Sequence, residues 1–472
     1  MPNAIIKRSL PVIIFVFFIL IPVLTYSQTG NYKITVKISG YQDSVLYLTH
    51  YYGKDVYIDD TCTVTGQTCV FEGDSLLDKG VYLLVNAKKQ KIVDFLIDDS
   101  VQHFTIITDA KNPVFHTKFE NSAENQVFAK YIRDKVNKFT EIYSIDSLLA
   151  AKTDLPEDSA ALYKKKAKLL REAIKKTEDS IMNHHPEWLL SAFIKMMREP
   201  DMTAIEQVTN DRMTLYNYYK KHYWDNVDLS DGRLVRTPVL HQKLTNYFDK
   251  VLYQHVDTLI PAIDSLVSKI KSKEIFKYVV WYLTYEYAKS KIMGFDAIYV
   301  HMVDEYYSTG KAFWADSVII AAEKERANTL RRLLIGKRAP EMILTDTTGN
   351  LQPVLANDAE WTLLFFFDPD CGHCKRATKK LKAWTDTTAV NIEIVAIASD
   401  PDLDKWKKFI KTYHTQSWNN YNGMISATED FRDMYNINSY PETYLLNKDK
   451  IIVAKEISVE QVVEFINNHS KD

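Results

Sequence analysis

Cys371-Gly372-His373-Cys374 is the stretch of this 472-residue chain whose residue types and spacing point most directly to a reaction. Two thiols separated by two residues suit disulfide exchange: one thiolate attacks a disulfide sulfur, and the second thiol resolves the mixed disulfide that results. That chemistry needs no metal and no cofactor. A structural zinc site would need two more ligands at comparable spacing. The other cysteines, Cys62 and Cys69, lie far upstream, and no histidine pair follows Cys374. Haem attachment needs a histidine directly after the second cysteine, where Lys375 stands. Redox exchange is therefore the leading reading, ahead of an inert structural disulfide and of metal binding.

The first sulfur must be placed where its thiolate is stabilised. The apolar run Trp361–Phe367 reads as a buried strand, broken at Asp368-Pro369-Asp370, and a Lys/Arg-rich helix begins near Lys375. Cys371 is thus expected at a helix N-terminus, where the macrodipole and free backbone N–H groups favour an anion. Four neighbours are expected to modulate it. Gly372 and His373 lie between the sulfurs, Asp370 precedes them and Lys375 follows. A partly protonated His373 would stabilise the thiolate. That moves the couple toward the roughly −180 mV of an isomerase rather than the roughly −270 mV of a reductant. Asp368 and Asp370 oppose the shift.

Downstream, Ile392–Ala398 reads as a second buried strand of the parallel type. Leu403, Trp406, Phe409, Ile410 and Tyr413 recur at helical spacing. Glu442–Leu446 and Ile451–Ala454, joined by Asn447–Lys450, make a hairpin, and Ser458 with Gln461 forms a capping box for a last helix. From about Gly336 to the end, this order and the segments Ile335–Pro340 and Met342–Gly349 resemble the TlpA/ResA-like branch of the thioredoxin superfamily, thiol–disulfide oxidoreductases of the bacterial envelope. The resemblance implies an α/β thioredoxin fold in which Cys371 attacks, Cys374 resolves and Pro441 is the cis-proline facing the redox-active disulfide. A cis-proline there leaves an exposed backbone edge on which an extended substrate can pair. The sequence departs from thioredoxin itself at Asp370, where tryptophan is usual, and at His373, where proline is usual. Phe365 occupies the place of a buried acid, six residues before Cys371. Glu442 and water are the expected candidates to take the proton of Cys374.

Lys7 and Arg8 precede the apolar run Leu10–Leu24, and Thr25-Tyr26-Ser27 offers a small-residue cleavage site. Residues 1–27 are therefore expected to be a signal peptide directing the chain to a periplasm; an uncleaved N-terminal anchor facing the periplasm is the alternative. A net charge of −2 makes no electrostatic case for nucleic acid. Residues 28–115 alternate apolar and polar positions, as in Tyr32, Ile34, Val36 and Ile38, and predict an all-β sandwich. Within it, Cys62 and Cys69 lie symmetrically about Thr65-Gly66 and are expected to pair as a cross-strand structural disulfide. Residues 121–334 switch to helical periodicity and predict an all-α domain; one helix should bury Leu162, Leu169, Leu170, Ala173, Ile174 and Ile181. Its lysine-rich opposite face, interleaved with Glu172, Glu178 and Asp179, reads as solvated. The thioredoxin-like domain occupies 336–472. The two upstream regions resemble modules that accompany thioredoxin domains in envelope proteins of Bacteroidetes.

Two functions follow from these expectations. In the first, the chain is a thiol–disulfide oxidoreductase, a reductase or isomerase whose partners are disulfide-bearing envelope proteins and a membrane electron donor. In the second, the upstream domains bind an envelope ligand or partner and the redox domain is ancillary.

Overall fold

The computed structural model describes residues 30–98, 102–151 and 156–469. The apolar segment Leu10–Leu24 and its cleavage site lie outside the described residues. Within them, no helix is long and apolar enough to cross a membrane.

Strand alternation builds the N-terminal region. β1 (Tyr32–Ser39), β2 (Val45–Tyr52), β3 (Asp55–Thr63), β4 (Thr68–Gly73), β5 (Gly80–Asn86), β6 (Lys91–Ile97), β7 (Gln102–Asp109) and β8 (Lys118–Glu120) form two four-stranded sheets, ordered β4-β1-β7-β8 and β3-β2-β5-β6. Their inward positions, among them Ile34, Val36, Phe71 and Ile106 from one sheet and Leu46, Leu84 and Phe95 from the other, share one core. Cys62 and Cys69 are bonded, with Cα atoms 6.0 Å apart. The expected hairpin register is corrected here. The two-residue turn is Gly66-Gln67, both with positive φ, closed by paired hydrogen bonds between Thr65 and Thr68. Beyond it the strands part: Cys62 pairs with Leu46 in one sheet and Cys69 with Val36 in the other. The disulfide therefore ties sheet to sheet.

The central region is helical. Its long antiparallel pair, α1 (Ala123–Ala151) and α2 (Glu157–His184), corrects the expected apolar stripe. Leu162 and Leu169 are 67% and 56% exposed, and the buried line is Ala167, Ile174 and Ile181. Part of the lysine-rich surface is paired, Lys166 with Glu141 and Arg171 with Asp146 across the two helices. Further along, α3 (Lys273–Ala288), α4 (Asp296–Met302) and α5 (Ser317–Arg332) belong to a core that also takes in Val81 and Leu96 from the second β-sheet. That sheet is thus packed on both faces. The approach is close enough that a Cβ on Gly53, at φ +58°, would overlap the Tyr278 ring of α3.

The C-terminal region is a seven-stranded mixed sheet in the order β10-β9-β13-β12-β11-β14-β15. Its strands are β9 (Ile343–Asp346), β10 (Leu351–Pro353), β11 (Trp361–Phe367), β12 (Ile392–Ala398), β13 (Asn419–Ser426), β14 (Glu442–Leu446) and β15 (Ile452–Lys455). β11, β12 and β13 are parallel neighbours; β14 runs antiparallel to β11. Every residue of β11 is buried, as its unbroken apolar run requires. One face packs on α6 (Gly372–Thr385), α7 (Leu403–Tyr413) and the later helix α9 (Val459–His469). The other face packs on α8 (Phe431–Met434) and on Leu333, which closes α5. The Ser458/Gln461 capping box forms as expected, each backbone N–H meeting the other side chain.

Candidate active site

β11 ends at Phe367, the chain turns through Asp368–Asp370, and α6 starts at Gly372 with Cys371 as its N-cap. Sulfur here does what a serine or aspartate does at other helix starts: Cys371 Sγ accepts the Cys374 backbone N–H at 3.2 Å. Its own S–H donates to the Tyr440 carbonyl at 3.5 Å. The Tyr440–Pro441 bond is cis, so the residue named from the sequence lies directly beside the first thiol. Both site cysteines are free thiols and they are unequal. Cys371 is half-buried, whereas Cys374 is fully buried among Phe365, Leu381 and Ala396. Burial pushes the Cys374 thiol well above its ordinary range, and the hydrogen bond with Cys371 and the charges of Cys371 and Asp368 add to this. A backbone N–H from Asp368 opposes it. One sulfur is thus reachable and the other held protonated in reserve.

The neighbours divide differently from the sequence-based expectation. His373 is exposed and its Nδ1 accepts from the Arg376 guanidinium one turn along α6 at 2.8 Å. Gly372 meets only the tip of Arg376, and Lys375 is half-buried. Asp370 does not stand as a free acidic rim, because Lys405 of α7 pairs with both Asp370 and Asp400. Asp368, Asp370 and Asp400 approach one another closely enough to hold a cation, and the Lys405 ammonium already bridges two of them. Arg376 and Lys405 went unnoticed in the sequence; the i+3 position of Arg376 from His373 was the one signal available.

Glu442 is corrected as a proton acceptor for Cys374. Cross-strand pairing places Glu442 opposite Phe366 and Thr443 opposite Phe365. Phe365 shares the Cys374 face of the sheet and Phe366 faces the other side, so Glu442 points away from the thiols. Phe365, fully buried, leaves the Cys374 face at that position without an acid.

Burial pushes the Glu442 carboxyl up to about 7, with Glu456 adding repulsion and the Thr443 N–H and Lys455 opposing. From its ordinary value to about 7 the unfolded chain ionises at this position while the folded chain keeps its proton, so stability falls as pH rises through that window. The loss is on the order of 3 kcal/mol. Glu442→Gln should match the parent near pH 4.5 and exceed it at pH 8, as read by denaturant midpoints between pH 4 and 9. Parallel midpoint curves for the two proteins would refute this.

The chain matches three family models. Residues 358–452 match a model described as thioredoxin-like, and residues 32–128 and 164–333 match two domains of unknown function, DUF4369 and DUF5106. Among solved structures it is similar to a domain of a possible thiol-disulfide isomerase from Cytophaga hutchinsonii, at 35% identity over 29% of this chain and 94% of that one, TM-score 0.27. A thioredoxin-like protein from Bacteroides caccae matches at 21% identity over 58% of this chain and 98% of its own, TM-score 0.46. A thiol:disulfide interchange protein from a Bacteroides species matches at 22% identity over 29% of this chain and 91% of its own, TM-score 0.26. No curated protein matches the chain.

Proposed function

We propose, for a chain whose C-terminal domain belongs to the thioredoxin-like family, that the protein is a thiol–disulfide oxidoreductase of the bacterial periplasm acting as reductase or isomerase. The observation that carries the reading is the inequality of the two thiols. Cys371 is half-buried at a helix N-terminus and beside Pro441, while Cys374 is buried and kept protonated. The Cys371 thiolate attacks a client disulfide; the client S–S bond breaks and one client thiolate leaves. Cys374, giving its proton to water, then attacks the Cys371 sulfur. The mixed disulfide breaks, the second client thiolate leaves, and the Cys371–Cys374 disulfide forms. Two electrons pass to the client, and a dithiol donor of the envelope returns them. Cys371 stands at the α6 N-terminus, and the guanidinium one turn along that helix is held on His373. The Cys62–Cys69 bond supports an oxidising compartment.

Cys374→Ala removes the resolving sulfur and should leave Cys371 covalently joined to a synthetic peptide disulfide. Intact-protein mass spectrometry should show that adduct with Cys374→Ala and none with the additional change Cys371→Ala. Failure of Cys374→Ala to accumulate any adduct would remove the proposal's support.

A further inference from the structure

The α1–α2 pair has a base and a free end. Near the base, Phe128 and Tyr131 of α1 and Ile181 of α2 join the core of the helical region. Farther out, Ile142, Ile145 and Ala167 are buried, yet none enters a larger core among the described residues. The outer half is therefore a two-helix arm that stands off the body. Its charge is unlike that of the rest. Residues 162–176 carry six lysines and one arginine against a single acid, Glu172, in a chain whose net charge is −2. Glu141 and Asp146 of α1 take up Lys166 and Arg171. Lys164, Lys165 and Lys176 have no ion pair among the described residues. Leu162, Lys165, Leu169, Ala173 and Lys176 recur at i, i+3, i+7, i+11 and i+14, on one outward face of α2. The two exposed leucines thus alternate with unpaired ammonium groups along about 21 Å of helix.

We propose that this face of α2 docks the protein on an anionic lipid surface, with Leu162 and Leu169 entering the headgroup layer and Lys165 and Lys176 meeting lipid phosphates. Charge complementarity selects that occupant. A basic helix with apolar residues among its lysines gains twice at such a surface, from buried apolar area and from attraction to anionic headgroups. Lysine is a point charge on a flexible apolar stem, suited to phosphates in no fixed arrangement. The arginine of the segment, whose fork would read a phosphate or carboxylate held in fixed geometry, is engaged by Asp146. A second copy of this face would set lysines against lysines, and like charges oppose that pairing. The inference concerns α2 alone and does not rest on the exchange reading.

The test is co-sedimentation of the chain from Gln28 onward, the form left by the expected cleavage, with two kinds of vesicle. One is phosphatidylglycerol mixed into phosphatidylcholine, the other phosphatidylcholine alone. The protein should bind the anionic vesicles, leave them as salt rises, and stay free of the neutral ones. Lys165→Gln with Lys176→Gln should weaken that binding roughly thirtyfold. Leu162→Gln with Leu169→Gln should weaken it about tenfold at unchanged net charge. These positions are exposed, so circular dichroism should stay that of the parent. Lys37→Gln with Lys118→Gln removes the same charge from exposed β-strand positions and should bind as the parent does. Equal binding to both vesicles, binding to neither, parent-like binding by the α2 variants, or an equal loss in the Lys37 and Lys118 variant overturns the proposal. So does concentration-dependent self-association that the leucine changes abolish, because a second copy then covers this face.

Discussion

Cys371→Ser should abolish exchange, lowering the rate of peptide-disulfide reduction by on the order of 10³-fold or more, with the fold unchanged. A hydroxyl at this N-cap can still accept the Cys374 N–H, so α6 keeps its start. The attacking group is nevertheless gone, because a serine hydroxyl stays protonated where a thiol ionises. Cys374→Ser should fail differently. Its Cys371 still attacks, and the mixed disulfide then persists because no buried sulfur resolves it. The measurement is single-turnover reduction of a peptide disulfide by each full-length variant, with circular dichroism as the check on folding. A Cys371→Ser protein that keeps a tenth of the parent rate would sink the assignment of this sulfur as nucleophile.

The second large effect lies where the redox and helical domains join. Lys455 ends β15 at 2% exposure and reaches across the junction to Asp296 Oδ2 at 2.5 Å and to the Leu333 carbonyl at 2.8 Å. Asp296 Oδ1 is buried with no hydrogen-bond partner. Lys455→Ala therefore leaves a carboxylate and a carbonyl buried with nothing to answer them, at a cost of about 3–5 kcal/mol. Lys455→Met together with Asp296→Leu removes both charges and should recover most of that loss. Urea unfolding and limited proteolysis near residues 334–340 report the two outcomes. If Lys455→Ala is as stable and as protease-resistant as the parent, the junction does not depend on this pair.

The redox site was legible where chemistry and backbone are local. The positions of Cys371 and Cys374 follow from a strand, a turn and a helix start, Pro441 was carried by the family resemblance, and the apolar runs of β11 and β12 are long enough to declare themselves. β13 was harder to place, since Asn419, Asn420, Asn422 and Gly423 supply hardly any apolar alternation. Other features depended on partners distant in sequence. The face of Glu442 is set by its register against Phe366, and a one-residue slip would reverse it. Lys405 neutralises Asp370 from a separate helix, and Lys455 finds its partner in another domain. The cysteine spacing about Thr65-Gly66 suggested a symmetric hairpin, but the turn sits one residue later and its strands leave for different sheets. Leu162 and Leu169 fit a helical stripe, yet the α1–α2 pair buries a narrower line than a helix set in a globular core would.

The staple between the two β-sheets has an implication for the molecule's own safety. An oxidoreductase built with a disulfide of its own carries a target for its own active site, and for that of every neighbouring copy. Cys62 and Cys69 are 8% and 3% exposed and lie under side chains from both sheets. An attacking sulfur needs a straight approach along the S–S axis, and burial of both cysteines restricts access to it. If the proposed exchange operates, the Cys62–Cys69 bond should persist in the presence of reduced Cys371.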